Sequence, residues 1–175
     1  MGLGMIVFLT IGVTTPKFIG MSLDLRSEIR QQRPFSSLEQ ECFLNIERTG
    51  AMLHDAFERM LKPYGVSATQ FNVLRILRGA EPNGLCRNEV RDRLVTRMPD
   101  VTRLLDRMEE AGLVARVRST TDRRLVNTRL TPRGREVVDS LDDPVAEEHR
   151  RRLGHLSDEQ LQTLIALLSA ARGAA

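Results

Sequence analysis

The hydrophobic period of this chain changes once along its length, and that change constrains the fold more than any other feature. Up to Gly112 the apolar residues recur three and four apart; then Val114, Arg116 and Arg118 alternate with Ala115 and Val117; from Thr131 the helical interval returns. Helices interrupted by one alternating stretch predict a mainly α fold with a small two-stranded β element. The second strand of that element is Leu125 to Leu130. The polar turn between the strands, Ser119 to Arg124, puts Arg123 and Arg124 at a hairpin tip.

The helix ends are written in the sequence. Ser37-Leu38-Glu39-Gln40 fits a capping box, and a helix follows to about Lys62, with Phe43, Ile46, Met52, Phe57, Met60 and Leu61 on its apolar side. Pro63 and Gly65 stop it. Ser67-Ala68-Thr69-Gln70 opens a second, largely buried helix through Phe71, Val73, Leu74, Ile76 and Leu77. After a turn containing Pro82, Cys86-Arg87-Asn88-Glu89 opens a short third helix with Val90 and Leu94 facing in. The fourth helix has Pro99 at its first position and one buried stripe, Val101, Leu104, Leu105 and Met108. Its opposite half carries Arg103, Asp106, Arg107 and Glu110, with Asp100 at the margin, and Gly112 ends it. Thr131 and Pro132 start a helix carrying Val137, Val138 and Leu141, which Pro144 interrupts or kinks. A last box, Ser157 to Gln160, opens a helix carrying Leu161, Leu164, Ile165, Leu167 and Leu168. That apolar face is wider than a monomer's surface helix needs and predicts contact with a second subunit; burial within the same chain is the alternative.

Charge is concentrated in one block. The chain of 175 residues has a net charge of +3, but residues 75–135 hold fifteen arginines against eight acidic residues, a local charge of +7. Residues 136–175 carry four arginines against eight acids, a local charge of −4, and the only lysines are Lys17 and Lys62. Arginine forks suit phosphates and guanine edges; an ordinary solvated face is the alternative. Apolar residues at 41% and charged residues at 28% fit a soluble globular chain, and no apolar run reaches the length needed to span a membrane. Two cysteines, Cys42 and Cys86, are too few for a disulfide scaffold and point to a reducing cytoplasm. Enzymatic readings are poor. His54, His149 and His155 do not lie at metal-ligand spacing from a cysteine, neither cysteine has a nucleophile motif around it, and there is no glycine-rich phosphate loop. No catalytic residue, metal or cofactor is assigned.

Residues 1–35 form an N-terminal arm. The apolar stretch Leu3 to Val13 has no Lys or Arg before it, so the signal-peptide pattern is missing. A polar start follows Met21. The expectation is that translation begins there, and that a chain starting at Met21 folds and behaves as the full chain does; an arm that packs on a partner is the alternative. Residues 22–35 are polar and expected to be mobile.

Two short helices, a longer one with arginines outside, and a basic hairpin make a winged helix-turn-helix. In this order and spacing the motifs resemble the MarR family of dimeric transcription regulators over about Ser36 to Ala171. The carriers are Ser67-Ala68-Thr69-Gln70-Phe71-Asn72-Val73-Leu74, Val101-Thr102-Arg103-Leu104-Leu105-Asp106-Arg107-Met108-Glu109, Gly112-Leu113-Val114, Asp122-Arg123-Arg124 and Leu130-Thr131-Pro132-Arg133-Gly134. The resemblance implies a domain over 36–175, with the winged helix at about 66–131 and dimerisation helices at about 37–62 and 132–172. It also implies a homodimer on double-stranded, pseudo-palindromic operator DNA.

Arg103 and Arg107, four apart on the exposed side of the recognition helix, are assigned to phosphates or base edges, against a plain solubility role. Thr96 and Arg97 precede that helix, and Asp100 and Thr102 open it; all four are DNA-contact candidates, though a short polar residue there also caps a helix. Arg118, Arg123 and Arg124 are the wing candidates. Asp106 faces the wrong way for a carboxylate near phosphates unless an arginine neutralises it. The family's Asp-x-Arg pattern, falling on Asp122 and Arg124, suggests Arg124, which would tie wing to helix; an ordinary pair within the helix is the alternative. Cys42 lies where some members of the family sense peroxide beside tyrosines. The only tyrosine here is Tyr64, so a small buried hydrophobe is the expectation for Cys42, and a cap or packing role for Cys86.

The resulting expectation is a sequence-specific, ligand-responsive regulator, a repressor acting as a cytoplasmic homodimer, with an unidentified effector bound between the dimer region and the winged lobe. The rivals are an architectural DNA binder without effector response, a thiol-based peroxide sensor using Cys42, and a winged-helix module of a larger enzyme assembly.

Overall fold

The computed structural model describes residues 24–118 and 126–173. It divides into two compact units between Arg48 and Thr49, inside a long helix.

The first unit carries a one-turn helix, α1 (Leu25–Glu28), where the sequence suggests a polar arm. Asp24 makes it possible: its carboxylate accepts the Ser27 N–H at 2.7 Å, and Leu25 is buried. The unit also holds the first half of α2 (Leu38–Leu61). The expected box is shifted by one residue. Ser37 Oγ accepts the Gln40 N–H at 3.2 Å, but the Gln40 side chain accepts from the N–H of Ser36, not Ser37.

The second unit contains the rest of α2, then α3 (Ala68–Arg78), α4 (Arg87–Arg93), α5 (Val101–Glu110), α6 (Pro132–Ser140), α7 (Asp142–Leu153) and α8 (Asp158–Gly173). Ser67 and Gln70 form the full reciprocal box at the start of α3. The core is where the stripes place it: Leu61, Leu74, Leu77, Val90, Met108 and Val138 are completely buried. Gly134 admits the close approach of α6 to the chain, since a Cβ there would collide with Leu113 O.

Among the described residues the sheet has three strands rather than two. β2 (Val114–Arg118) and β3 (Val126–Leu130) pair antiparallel, from Val114 opposite Leu130 to Arg118 opposite Val126. A third strand, β1 (Leu85–Cys86), adds to the far side of β3, with Leu85 opposite Thr128. Two residues are too few to show a period. The turn before them supplies the reason: Gly84 has φ +69°, and a side chain there would meet Thr128 O. Asn83 O then accepts from Asn127 Nδ2 and Arg129 Nε, both at 3.1 Å.

Between α6 and α7 the chain turns at Leu141, fully buried, rather than at Pro144, which lies in the first turn of α7 where no N–H is needed. Arg78, near the end of α3, spans this elbow. Its guanidinium donates to Asp139 Oδ1 at 2.9 Å and to both carboxylate oxygens of Asp142 at 2.8 and 2.9 Å. That fork holds the Asp142 carboxyl below its ordinary range and raises the arginine further.

Candidate nucleic-acid interface

Helix α5 presents its charged side as its sequence requires. Val101, Leu105 and Met108 are buried and Leu104 is half-buried, so Thr102, Arg103 and Arg107 are driven outward. The helix starts two residues later than Pro99 suggests, at Val101. Asp100 is the N-cap, its Oδ1 accepting the Arg103 N–H at 3.0 Å, and its other oxygen lies 3.5 Å from Arg103 Nε. The carboxylate of Asp100 therefore has a structural occupation in the cap. Arg107 reaches no acidic side chain among the described residues. Gly112, at φ +69°, follows the helix as expected.

Thr96 and Arg97 are exposed in the segment between α4 and α5. Thr102 is exposed and receives a long hydrogen bond, 3.4 Å, from Arg87 Nη1. That contact sets Arg87, at the first position of α4, beside the opening turn of α5. Sequence reasoning passed over it as a helix-start residue; its place in the arginine-rich block was the available signal. Cys86 precedes it, half-buried, with its backbone N–H donating to Glu89 Oε2 at 2.8 Å.

The pair expected between Asp106 and Arg124 lies outside the described residues, and within them β2 is joined to α5 through Arg116. Arg123 and Arg124, with the rest of the tip, lie outside the described residues. Among those described, the carboxylate of Asp106 pairs with Arg116 of β2. Arg116 also stands 3.6 Å from Glu109 Oε2, and its backbone N–H donates to Glu109 Oε1 at 3.0 Å. A β2 arginine thus covers two carboxylates of α5. Arg118, two residues on, is exposed at the end of the described strand. The expectation of a buried Cys42 is corrected: the buried residues of α2, Ala56 and Leu61, lie in its second half, and Cys42 is exposed.

Behind this surface is a cavity of about 540 Å³. Phe57 of α2 lines it, stacked on His149 of α7 with ring centres 5.9 Å apart and edge-on to Phe71 of α3 at 5.8 Å. His54 and Arg75 also line it, and no carboxylate does. One wall is the Val95–Thr96 segment that leads into α5.

Residues 64–125 match the model of the MarR family. A crystal structure of a MarR transcription factor from Planctomyces limnophilus is 39% identical, covers 78% of this chain and 99% of its own, and superposes with a TM-score of 0.59. The HTH-type transcriptional regulator PecS of Dickeya dadantii is 29% identical over 83% of this chain and 89% of its own. A mutant MarR from Escherichia coli, in crystals with operator DNA, is 26% identical over 78% of this chain and 99% of its own, with a TM-score of 0.68.

Proposed function

The chain belongs to the MarR family of transcriptional regulators, and from that premise we propose that it binds operator DNA as a homodimer and represses until an effector fills its cavity. The observation that carries the DNA reading is the face of α5. Thr102, Arg103 and Arg107 are exposed over a buried stripe, and Asp106, the carboxylate between those arginines, is neutralised by Arg116. Such a helix can lie in a major groove with arginines toward bases and phosphates, while Arg118 and the wing follow the neighbouring backbone. The E. coli relative crystallised with operator DNA supports the same partner here.

The dimer reading rests on α8, which has no buried residue and leaves Ile165 and Leu167 about two-thirds exposed. In α2, Met52 is half exposed as well. Apolar surface of that kind marks a protein partner. The effector reading rests on the cavity, whose aromatic walls and Arg75 guanidinium suit a planar anion. No catalytic step is assigned to the chain.

Selection of bound sites from random duplex DNA tests this reading. The expected result is a two-fold repeated site, preferred over random duplex by roughly 10³-fold or more, bound by a species of twice the chain mass in light scattering. Equal binding to all sequences would favour the architectural reading instead.

A further inference from the structure

We propose that Asn72 is the positioning residue that holds the entry to the recognition helix and passes the state of the cavity to it; the inference deepens the effector reading above and rests on it. Asn72 is half-buried on α3, and its Oδ1 accepts the backbone N–H of Val95 at 3.1 Å. Val95 to Pro99 is the whole connection between the end of α4 and the cap of α5. Among the described residues, the main chain of that connection makes no other intramolecular hydrogen bond. Apolar packing of Leu94 and Met98 on the core is its remaining anchor.

Both ends of this bond line the cavity, together with Thr96. The other walls are helices α2, α3 and α7, each braced by its own backbone ladder and by core packing. The Val95–Thr96 wall has one exposed hydrogen bond of modest net strength and the packing of the flanking Leu94 and Met98. An occupant larger than the resting space therefore moves this wall first, and moving it stretches the bond to Asn72. Five residues after Val95 the Asp100 cap starts α5, so the displacement reaches the helix that carries Arg103 and Arg107. By linkage, DNA that fixes α5 keeps the Asn72 bond closed and disfavours the occupant to the same degree.

The test needs no identified effector. The full-length protein is assayed on the duplex recovered by site selection, as wild type, Asn72→Leu and Asn72→Asp. Each is also combined with Thr69→Phe, which places a ring in the cavity, or with Val145→Phe should the first fail to fold. Asn72→Leu removes the acceptor and should weaken site binding about fivefold, with faster hydrogen exchange at the Val95 amide. Asn72→Asp keeps an acceptor and should stay within about twofold, with exchange unchanged. Thr69→Phe should weaken binding in the wild type and add little to Asn72→Leu, a coupling read by the double-mutant cycle. Equal loss in the Leu and Asp variants, or the same loss from Thr69→Phe in both backgrounds, would overturn the role of Asn72 and leave the DNA reading standing. A cavity-filling variant that folds and binds as wild type would overturn the effector reading and this inference together. A wild type without a preferred site would remove the DNA reading itself.

Discussion

Arg116 shows how little of a side chain's role is visible from its position in the chain. As an exposed strand arginine in a basic block it reads as one more phosphate contact. In the structure it is spent on Asp106 and Glu109. An exposed ion pair contributes at most about 1 kcal/mol to stability, so its value lies elsewhere: it hides negative charge on the face of α5 that we propose for DNA. Arg116→Met should therefore leave the melting temperature within a few degrees while weakening operator binding by about 1–2 kcal/mol, more than a bystander arginine would. Adding Asp106→Asn should restore most of that loss. Titrations of the two variants at matched salt check this, and a loss that Asp106→Asn does not relieve would show that Arg116 touches DNA directly. That Asp106 needed an arginine was legible from its place between Arg103 and Arg107. Which arginine was not, because the pair crosses from helix to strand and nothing in the local spacing points across that turn.

At the scale of elements, the sequence is most readable where a period runs long enough. The α5 stripe, the reciprocal box at Ser67 and Gln70, and the β2–β3 pairing all follow from spacing and capping chemistry. What escapes is short or tertiary. The two residues of β1 have no period of their own and exist because Gly84 lets them lie against β3. The α6–α7 elbow falls at Leu141 because the core takes that side chain and Arg78 clamps the aspartates on either side, whereas Pro144 merely tolerates the first turn. The clamp has a pH signature. Asp142 has a lowered pKa in the folded chain because Arg78 donates to its ionised form. Its contribution is therefore complete above the unfolded carboxylate value of about 3.9 and is lost as pH falls through the lower folded value. Melting temperatures measured from pH 6 to pH 2 should show Arg78→Met less stable than wild type at the upper end, with the gap closing below about pH 4. A gap that stays constant to pH 2 would mean that Arg78 acts by packing rather than by charge.

For the whole molecule, the two halves of the sequence's promise are met differently. The winged unit has its own core and needs no partner to bury it. Helix α8 and the first half of α2 carry apolar residues that this chain leaves exposed, Phe43 at 62% and Ile165 at 65% among them. The dimer proposed above would cover that surface and set two copies of α5 at a fixed separation, so that each DNA contact would be made twice. The proposed function requires that α5 be the surface that meets DNA. The most direct measurement is operator affinity at several salt concentrations for Arg103→Ala and Arg107→Ala, with melting temperature as control. Both arginines are exposed over the buried stripe, so folding should be unchanged. An arginine on a base edge should cost about 1–3 kcal/mol and relax choice at one position of each half-site. One on phosphate should weaken all sequences alike and flatten the salt dependence by about one unit per contact. Wild-type affinity and salt slope in both variants, with folding intact, would take α5 off the DNA and contradict the central claim.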